Sequence, residues 1–221
     1  MLATAIDFCR RIEYNEESNN DRGKVYRMGT QERIDGLKKE FKELLFSTGR
    51  EGIEGLLAWL DETDFYSAPA STSKHGAYEG GLLNHSMNVY KLLVNFNKNI
   101  KCEREDSLAI AGLLHDVCKT NLYVKGIKNV KTPGKREWTE KEVYLIEDEL
   151  PIGHGEKSVY LLMKYIDLTE EEALAIRWHM SGYDDAARSY IGGITQSKAF
   201  EKYPLAPALA IADMYATYFA D

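Results

Sequence analysis

The stretch Leu108–Lys119 constrains the fold of this chain more than any other segment. Its first seven residues are all apolar or glycine, so a helix built from them has no polar face and should be buried. The stretch continues into the adjacent pair His115 and Asp116, with Lys119 one turn further on. A buried imidazole or carboxylate is costly unless it is paired or binds a metal. Taken alone, such a dipeptide is more often a satisfied ion pair at a helix end, so its meaning depends on the rest of the chain.

Size and composition indicate an ordinary soluble globular protein. The chain has 221 residues, of which 44% are hydrophobic and 29% charged, which predicts one domain or one domain with an appendage. No apolar run approaches the length of a membrane span, so no membrane association is expected. The net charge of −7 argues against broad nucleic-acid binding, which needs a basic surface, without excluding a nucleic-acid partner. A small phosphorylated substrate held by local cations is compatible with this charge.

The cysteines and the N-terminus point to a cytoplasmic protein. Cys9, Cys102 and Cys118 are scattered and form no CxxC pair, so the sequence predicts neither a disulfide framework nor a zinc finger. The N-terminus lacks a basic segment, and Asp7 interrupts its short apolar run, which is unlike a signal peptide. A reducing cytoplasm is therefore the expected compartment.

Most of the chain has the apolar periodicity of helices. Asp106 is the expected N-cap of the helix that contains Leu108, and Thr169 and Glu172 have the spacing of a capping box. Loops are expected over 15–21 and 65–81 and in the glycine-rich segment 182–197. The central helix is predicted to follow Asp106 and to end in His115 and Asp116. The other predicted helices cover 1–13, 31–45, 52–60, 82–96, about 151–166, 169–179 and 205–219.

One segment, between about Tyr123 and Glu147, has the pattern of a β-hairpin. Its β-branched and aromatic residues flank the Pro133–Gly134 turn, as in two antiparallel strands. The segment is also rich in lysine. Lys125 and Lys128 could bind a charged substrate, or they could simply protect an exposed strand edge from aggregation.

A set of potential metal ligands lies on or at the ends of five predicted helices, and several members have strongly apolar neighbours. Imidazole and carboxylate together suit Mn, Fe, Co, Ni or Zn, and helical bundles build metal sites from inward-facing side chains on separate helices. Such a set could hold one or two ions, with Asp116 placed to bridge them. His75 lies in a loop, where a solvated surface role is commoner than a substrate contact. The proposed ligands are His85, His115, Asp116, His154, His179 and Asp213.

These residues stand in motifs that resemble a known family, the HD-domain metal-dependent phosphohydrolases. The resemblance runs from about Pro69 to Asp221. This part of the chain is similar to phage-type HD proteins and to the HD part of bacterial 3′–5′ exoribonucleases. Cys118 stands where the family usually has a small residue such as glycine. Met180 follows His179 where the cyclic-dinucleotide phosphodiesterases of the family carry a second histidine. The motifs are GGLLNH at 80–85, LLHDVCK at 113–119, GHG at 153–155, WH at 178–179 and AD at 212–213.

The resemblance implies a fold and a ligand assignment. The expected fold is all-α, an HD-domain helical bundle with one small β-hairpin insertion. Residues 65–221 would form the HD phosphohydrolase domain, and residues 1–64 an N-terminal helical support region packed on it. Lys119 would face the substrate phosphate. The core ligands would be His85, His115, Asp116 and Asp213, with His154 and His179 completing a second metal site.

The resemblance also implies a reaction, the cleavage of a phosphoester bond in a nucleotide or another phosphorylated small molecule. A divalent transition metal would lower the pKa of bound water and make hydroxide available near neutral pH. Asp116 and Lys119 are the expected catalytic residues, and Lys119, His75, Lys125 and Lys128 the expected substrate contacts. The alternative is a non-catalytic, metal-holding HD domain that acts as a nucleotide sensor or an interaction module. The sequence names neither the substrate nor the oligomeric state.

Overall fold

A computed structural model of the chain describes residues 30–100, 104–131 and 137–221. Within these ranges the protein has nine α-helices and one two-stranded antiparallel sheet. This architecture confirms the all-α prediction with a single small hairpin. The predicted helix at 1–13, the predicted loop at 15–21 and the Pro133–Gly134 turn lie outside the described residues.

Most connections between the elements are short, and the longest described one covers residues 62–80. The helices are α1 (Thr30–Ser47), α2 (Ile53–Asp61), α3 (Gly81–Ile100), α4 (Glu105–Leu114), α5 (His154–Leu162), α6 (Glu170–Trp178), α7 (Asp185–Arg188), α8 (Tyr190–Lys202) and α9 (Leu205–Tyr215). The strands are β1 (Tyr123–Lys131) and β2 (Trp138–Ile146). Short 3₁₀ turns cover Val117–Lys119 and Ser181–Tyr183, and a π-helical turn covers Ala216–Ala220.

The chain divides into two compact units within α1, at Gly36 and Leu37. In the first unit the structure describes the start of α1, where Gln31 Nε2 donates a hydrogen bond to Asp35 Oδ1 at 2.9 Å. The second unit, Leu37–Asp221, holds the remaining described elements and every residue considered below as a ligand. The domain division expected at residue 64 stays a prediction.

Helix α4 is the buried centre of the second unit. Every residue from Ser107 to Leu114 is buried, as expected for a helix without a polar face. The helix lies close against α3, since a Cβ added to Gly112 would come within 2.8 Å of the Tyr90 Cα. Helix α9 packs on both α3 and α6, and α5 packs on α6. The ends of several helices are thereby brought around one end of α4.

The start of α6 has the predicted capping box. Thr169 Oγ1 accepts a hydrogen bond from Glu172 N at 3.2 Å, and Glu172 Oε2 accepts one from Thr169 N at 2.9 Å. The prediction for α4 was wrong, because Asp106 lies within the first turn and is not the N-cap. The Asp106 carboxylate instead binds the guanidinium groups of Arg50 and Arg104, at 3.0 and 2.7 Å. These two cations offer the carboxylate stronger partners than the free backbone N–H groups of the helix start.

The segment 182–197 was predicted as a glycine-rich loop, and this prediction was wrong. It contains α7 and most of α8, and the Asp184 and Ser189 side chains cap the two helix starts. A Cβ on Gly192 would lie only 1.9 Å from the Ala186 carbonyl oxygen. This glycine therefore allows two short helices to approach each other, where the composition suggested a flexible loop.

The hairpin lies where the sequence predicts it. Strands β1 and β2 pair from Tyr123 with Ile146 to Lys131 with Trp138, and most of their side chains are exposed or half-buried. A search of the described residues found no helix with both the length and the apolar character needed to cross a membrane.

Candidate metal centre

Five helices bring the six predicted ligands to one place. His85 lies in the second turn of α3, and Asp213 in the last turn of α9. The pair His115 and Asp116 directly follows the last residue of α4, where the buried helix ends. His154 is the first residue of α5, and His179 is the C-cap of α6. Helix ends thus supply four of the ligands, and helix faces two.

The first group of ligating atoms consists of His85 Nε2, His115 Nε2, Asp116 Oδ2 and Asp213 Oδ1. His85 Nε2 lies 3.0 Å from Asp213 Oδ1, 3.3 Å from His115 Nε2 and 3.7 Å from Asp116 Oδ2. His115 Nε2 lies 3.6 Å from Asp116 Oδ2 and 4.0 Å from Asp213 Oδ1. Donors that share one ion at about 2.0–2.2 Å are roughly 3–3.5 Å apart, so this spacing is close to that of a ligand shell.

The second group lies on the other oxygen of the same aspartate. Asp116 Oδ1 is 2.8 Å from His154 Nε2 and 3.5 Å from His179 Nε2. The Asp116 side chain is only 2% exposed, so neither of its oxygens has water as a ready alternative. The two oxygens of one buried carboxylate therefore face two different pairs of histidines.

Three of the histidines are held with Nε2 directed into the centre, because their Nδ1 atoms donate hydrogen bonds elsewhere. His115 Nδ1 bonds to the Gly112 carbonyl at 3.0 Å, and His179 Nδ1 to the Ile176 carbonyl at 2.6 Å. His85 Nδ1 bonds to a carboxylate oxygen of Asp221 at 2.6 Å. Such outer contacts set the tautomer and orient metal-binding imidazoles. Each of these rings then directs Nε2 inwards.

This donor set fits a divalent transition metal. His115 Nε2 presents a lone pair 3.3 Å from His85 Nε2, and a cation that displaced the proton of His85 Nε2 would satisfy both nitrogens. His179 Nε2 is buried and has no hydrogen-bond partner among the described residues. Buried polar atoms without partners are rare in folded proteins and often mark an ion or a water. Imidazole nitrogen and carboxylate oxygen together are ligands of Mn, Fe, Co, Ni and Zn.

The pKa values differ between the imidazoles of the centre, and a metal ion would have to displace protons from His85 and His154. Burial lowers the pKa of His154, but Cys118 and Asp116 outweigh it and raise that pKa to about 10. Burial lowers the pKa of His115 to about 3. Burial also lowers the pKa of His85, but hydrogen bonds to Asp213 and Asp221 outweigh it and raise that pKa to about 9. Burial raises the pKa of Asp116, but the Lys119 ammonium and the hydrogen bond from His154 outweigh it and hold that pKa well below its usual range. Ionised carboxylates beside a neutral imidazole form a site that attracts cations.

Beside the ligands lies a cavity of about 250 Å³. Lys119 reaches it from the 3₁₀ turn that follows Asp116, and its Nζ lies 2.6 Å from Asp116 Oδ2. Burial lowers the pKa of Lys119, but Asp116 outweighs this and raises it, so the ammonium stays charged. The cavity is lined by Lys74, His75, Lys119, His154, His179, Met180, Tyr183, Ala210, Asp213, Met214, Thr217 and Tyr218.

A family model of the HD domain matches residues 82–218, which is more than half of the chain. The chain belongs to the HD domain family. This places it in the superfamily of HD-domain metal-dependent phosphohydrolases and confirms the predicted resemblance at that level. All six predicted ligands lie inside the matched residues. Searches of curated proteins and of solved structures found no match.

One member of the centre was missed by sequence reasoning. Asp221 is a carboxylate with a fully buried side chain that bonds His85 Nδ1 and also accepts a hydrogen bond from Asn88 Nδ2 at 2.9 Å. It lies three residues beyond the HD match, and 136 positions separate it from His85. No local pattern pairs the two residues, because their contact depends on the packing of α9 and the turn after it against α3.

The HD domain has a cysteine, Cys118, at the position where the resemblance implies a small residue, and the structure shows what it contacts. Cys118 is 1% exposed, and its Sγ lies 3.2 Å from His154 Nδ1 and 3.6 Å from His154 Nε2. A sulfur nearly equidistant from both ring nitrogens packs beside the ring and is not in line with either lone pair. The thiol thus fills the space next to His154 and limits the positions that this imidazole can take.

The remaining predicted substrate contacts are separated by the fold. His75 lines the cavity of the HD domain beside Lys119. Lys125 instead borders a second cavity with Tyr123 and Tyr144, and Lys128 lies on the exposed part of β1. Neither hairpin lysine is among the described residues that line the cavity beside the ligands. A substrate-binding role for the two lysines stays a prediction.

Proposed function

We propose that this HD domain hydrolyses a phosphoester bond in a nucleotide or another phosphorylated small molecule. The observation that carries the proposal is the arrangement around Asp116. Its Oδ2 faces His85, His115 and the Lys119 ammonium, and its Oδ1 faces His154 and His179. A carboxylate shared in this way is suited to bridge two cations beside a cavity, as in two-metal phosphoesterases.

Each part of the site has a role in this proposal. One or two divalent transition metal ions would supply a Lewis acid for the phosphoryl group and a source of hydroxide near neutral pH. The six ligands fix the position of that chemistry relative to the cavity. Lys119 offsets the negative charge that the phosphoryl group carries as the bond breaks. Its contact with Asp116 holds the ammonium in place before the substrate arrives, so little reorganisation is needed.

Apolar and aromatic side chains in the lining of the cavity support a nucleotide as the substrate. Met180 and Met214 contribute flexible apolar surface, and Tyr183 and Tyr218 contribute aromatic rings. The hydroxyl groups of Tyr183 and Tyr218 hydrogen-bond to each other at 3.2 Å, which ties the two rings together. Aromatic rings stack readily on nucleobases. Cations and aromatic rings that line one cavity match a phosphate joined to a planar apolar group.

A turnover screen tests the proposed activity. Mn-loaded protein is incubated with nucleoside mono-, di- and triphosphates and with generic phosphomonoester and phosphodiester substrates, and the products are quantified. We expect hydrolysis of at least one nucleotide, and its loss in Asp116→Asn. Asp185→Asn is the matched control, because the Asp185 side chain is 96% exposed, and it should retain activity. Tight nucleotide binding without turnover would contradict the proposal and favour the sensor function.

The number of ions is tested by metal analysis. His154→Ala and His179→Ala should each reduce the metal content towards one ion per chain, because these two histidines face Asp116 Oδ1 and not Oδ2. The site formed by His85, His115, Asp116 and Asp213 should keep its metal ion, and the rate of hydrolysis should fall steeply. Full activity with one ion per chain in the double variant would overturn the dinuclear proposal and leave a site of His85, His115, Asp116 and Asp213.

A further inference from the structure

His75 is the one histidine of the chain outside both groups of ligating atoms. It precedes the HD match, which begins at residue 82. Its ring lies next to that of His85, with the centroids 5.3 Å apart, and it lines the cavity beside Lys119. Both ring nitrogens are buried, and neither has a hydrogen-bond partner among the described residues. An imidazole left in this state has lost its bonds to water and gained none from the protein, which costs free energy.

The loop that carries His75 is built to hold it in place. Ser71 Oγ donates a hydrogen bond to the His75 carbonyl at 2.7 Å, and the Ala70 N–H donates one to the Gly76 carbonyl at 2.9 Å. Gly76 has a φ of 56°, a left-handed conformation that favours glycine. A Cβ on Gly81 would lie 1.9 Å from the Gly76 carbonyl oxygen. The loop is therefore pressed against the start of α3, which holds the His75 backbone in place beside the cavity.

A role for His75 as another metal ligand is poorly supported by its neighbours. Its potential ligand atoms lie within 4.8 Å of those of His85 and Asp221. However, His85 Nδ1 already bonds Asp221 at 2.6 Å, and His85 Nε2 faces Asp213 at 3.0 Å. An ion on this side would have only His75 and Asp221 as ligands, which is fewer than the three or four of ordinary protein sites.

We propose that His75 is a substrate contact, and that its ring N–H donates a hydrogen bond to a phosphate oxygen held between it and Lys119. This inference rests on the proposed function, and it adds a specific anion-binding residue to that function. A phosphate oxygen would accept the hydrogen bond that the His75 ring N–H lacks. Lys74, which lines the cavity as Lys119 does, precedes His75 directly in the chain and adds a second positive charge. Hydrogen bonds to charged groups are among the stronger ones in proteins, so the contact should contribute measurably to affinity.

The experiment measures the affinity of the metal-loaded protein for inorganic phosphate by calorimetry, together with the metal content of each variant. His75→Ala should weaken phosphate binding about tenfold, equivalent to about 1.4 kcal/mol, with unchanged metal content. His75→Gln keeps an N–H donor and should recover part of the affinity. Ser73→Ala is the control within the same loop, because Ser73 is exposed and absent from the cavity lining.

Two results would overturn the role of His75. Unchanged phosphate affinity in His75→Ala would remove the contact, while hydrolysis by the wild-type protein would leave the proposed function standing. Loss of metal along with phosphate in His75→Ala would make His75 a ligand. In the opposite case, weakened phosphate binding in a protein that turns over no substrate would support the contact and contradict the proposed function. No phosphate binding by the metal-loaded wild-type protein would overturn both.

Discussion

At the scale of the residue, the centre depends on how each imidazole is oriented, and backbone carbonyls orient two of them. His115 Nδ1 and His179 Nδ1 donate to the carbonyls three residues earlier in the same helix, those of Gly112 and Ile176. The position in the sequence alone therefore secures each contact. His85 is different, because its Nδ1 partner is the Asp221 carboxylate. A carboxylate partner also raises the basicity of a ligating imidazole. Asp221 is therefore the outer contact whose loss should be felt most.

The prediction at this scale concerns Asp221→Asn. The amide keeps the size of the side chain but loses the negative charge that holds His85 Nδ1–H, so affinity for Mn should fall about 10- to 100-fold. Metal titration of the purified protein measures this. Asp185→Asn, an exposed aspartate with the same change in net charge, should leave the affinity unchanged. Equal Mn affinity in Asp221→Asn and the wild type would show that this hydrogen bond does not support the ligand.

At the scale of the element, the position of the centre depends on how closely α4 approaches α3. Gly112 lies where the two helices meet, one turn before His115. A Cβ at this position would come within 2.8 Å of the Tyr90 Cα and 3.1 Å of a Leu93 methyl carbon. Backbone at that distance cannot move aside as a flexible side chain can. The glycine thus sets the helix separation that brings His115 to His85.

Gly112→Ala should consequently destabilise the fold by about 1–3 kcal/mol, the usual cost of overpacking a core. It should do so although alanine favours helix by up to about 1 kcal/mol over glycine. The matched control is Gly36→Ala in α1, because a Cβ there meets nothing within 4 Å, and this change should stabilise the protein slightly. Urea denaturation of both variants measures the two free energies. A stabilised Gly112→Ala would mean that the helices separate without cost.

At the scale of the whole molecule, one buried network joins parts of the second unit that are far apart in the sequence. Arg50 Nη1 binds Glu172 at 2.7 Å and Asp106 at 3.0 Å, and Arg50 Nη2 donates to the Asp167 carbonyl at 2.6 Å. Glu172 is fully buried and also accepts a hydrogen bond from Ser107 Oγ at 2.6 Å. The network therefore ties the connection between α1 and α2 to the starts of α4 and α6.

This network should make stability depend on pH. Burial raises the pKa of Glu172, but hydrogen bonds from Arg50 and Ser107 outweigh it, so the pKa in the folded protein lies below its usual value. The stabilisation is thus present above the unfolded-state pKa, about 4.3, and is lost as the pH falls towards the lower folded value.

Glu172→Gln should lower the free energy of unfolding by about 3 kcal/mol at neutral pH, because it leaves Arg50 partly unpaired in a buried place. It should also lose the part of the acid-side pH dependence that comes from this carboxylate. Urea denaturation over a series of pH values measures both effects. The exposed pair of Lys39 and Glu43 supplies the control Glu43→Gln, which should change little. A variant with the wild-type pH dependence would contradict the role of Glu172.

Local pattern was enough to predict much of this fold. The apolar run before His115 predicted a buried helix, the spacing of Thr169 and Glu172 predicted a cap, and the residues around Pro133–Gly134 predicted a hairpin. These features depend on residues within one or two turns of each other, so the sequence carries them directly. The glycine-rich segment 182–197 was predicted wrongly, because glycine marks close helix approach as well as flexible loops.

The sequence by itself determined which residue types could form a metal centre and that α4 must be buried. Imidazole and carboxylate side chains at the ends of apolar helices have few other low-energy roles. Only the tertiary structure decided that Asp116 presents its two oxygens to different histidines, that Asp221 orients His85, and that His75 faces the cavity while the hairpin lysines do not. These contacts join residues up to 136 positions apart. They follow from helix packing across the whole core, which no short stretch of sequence specifies.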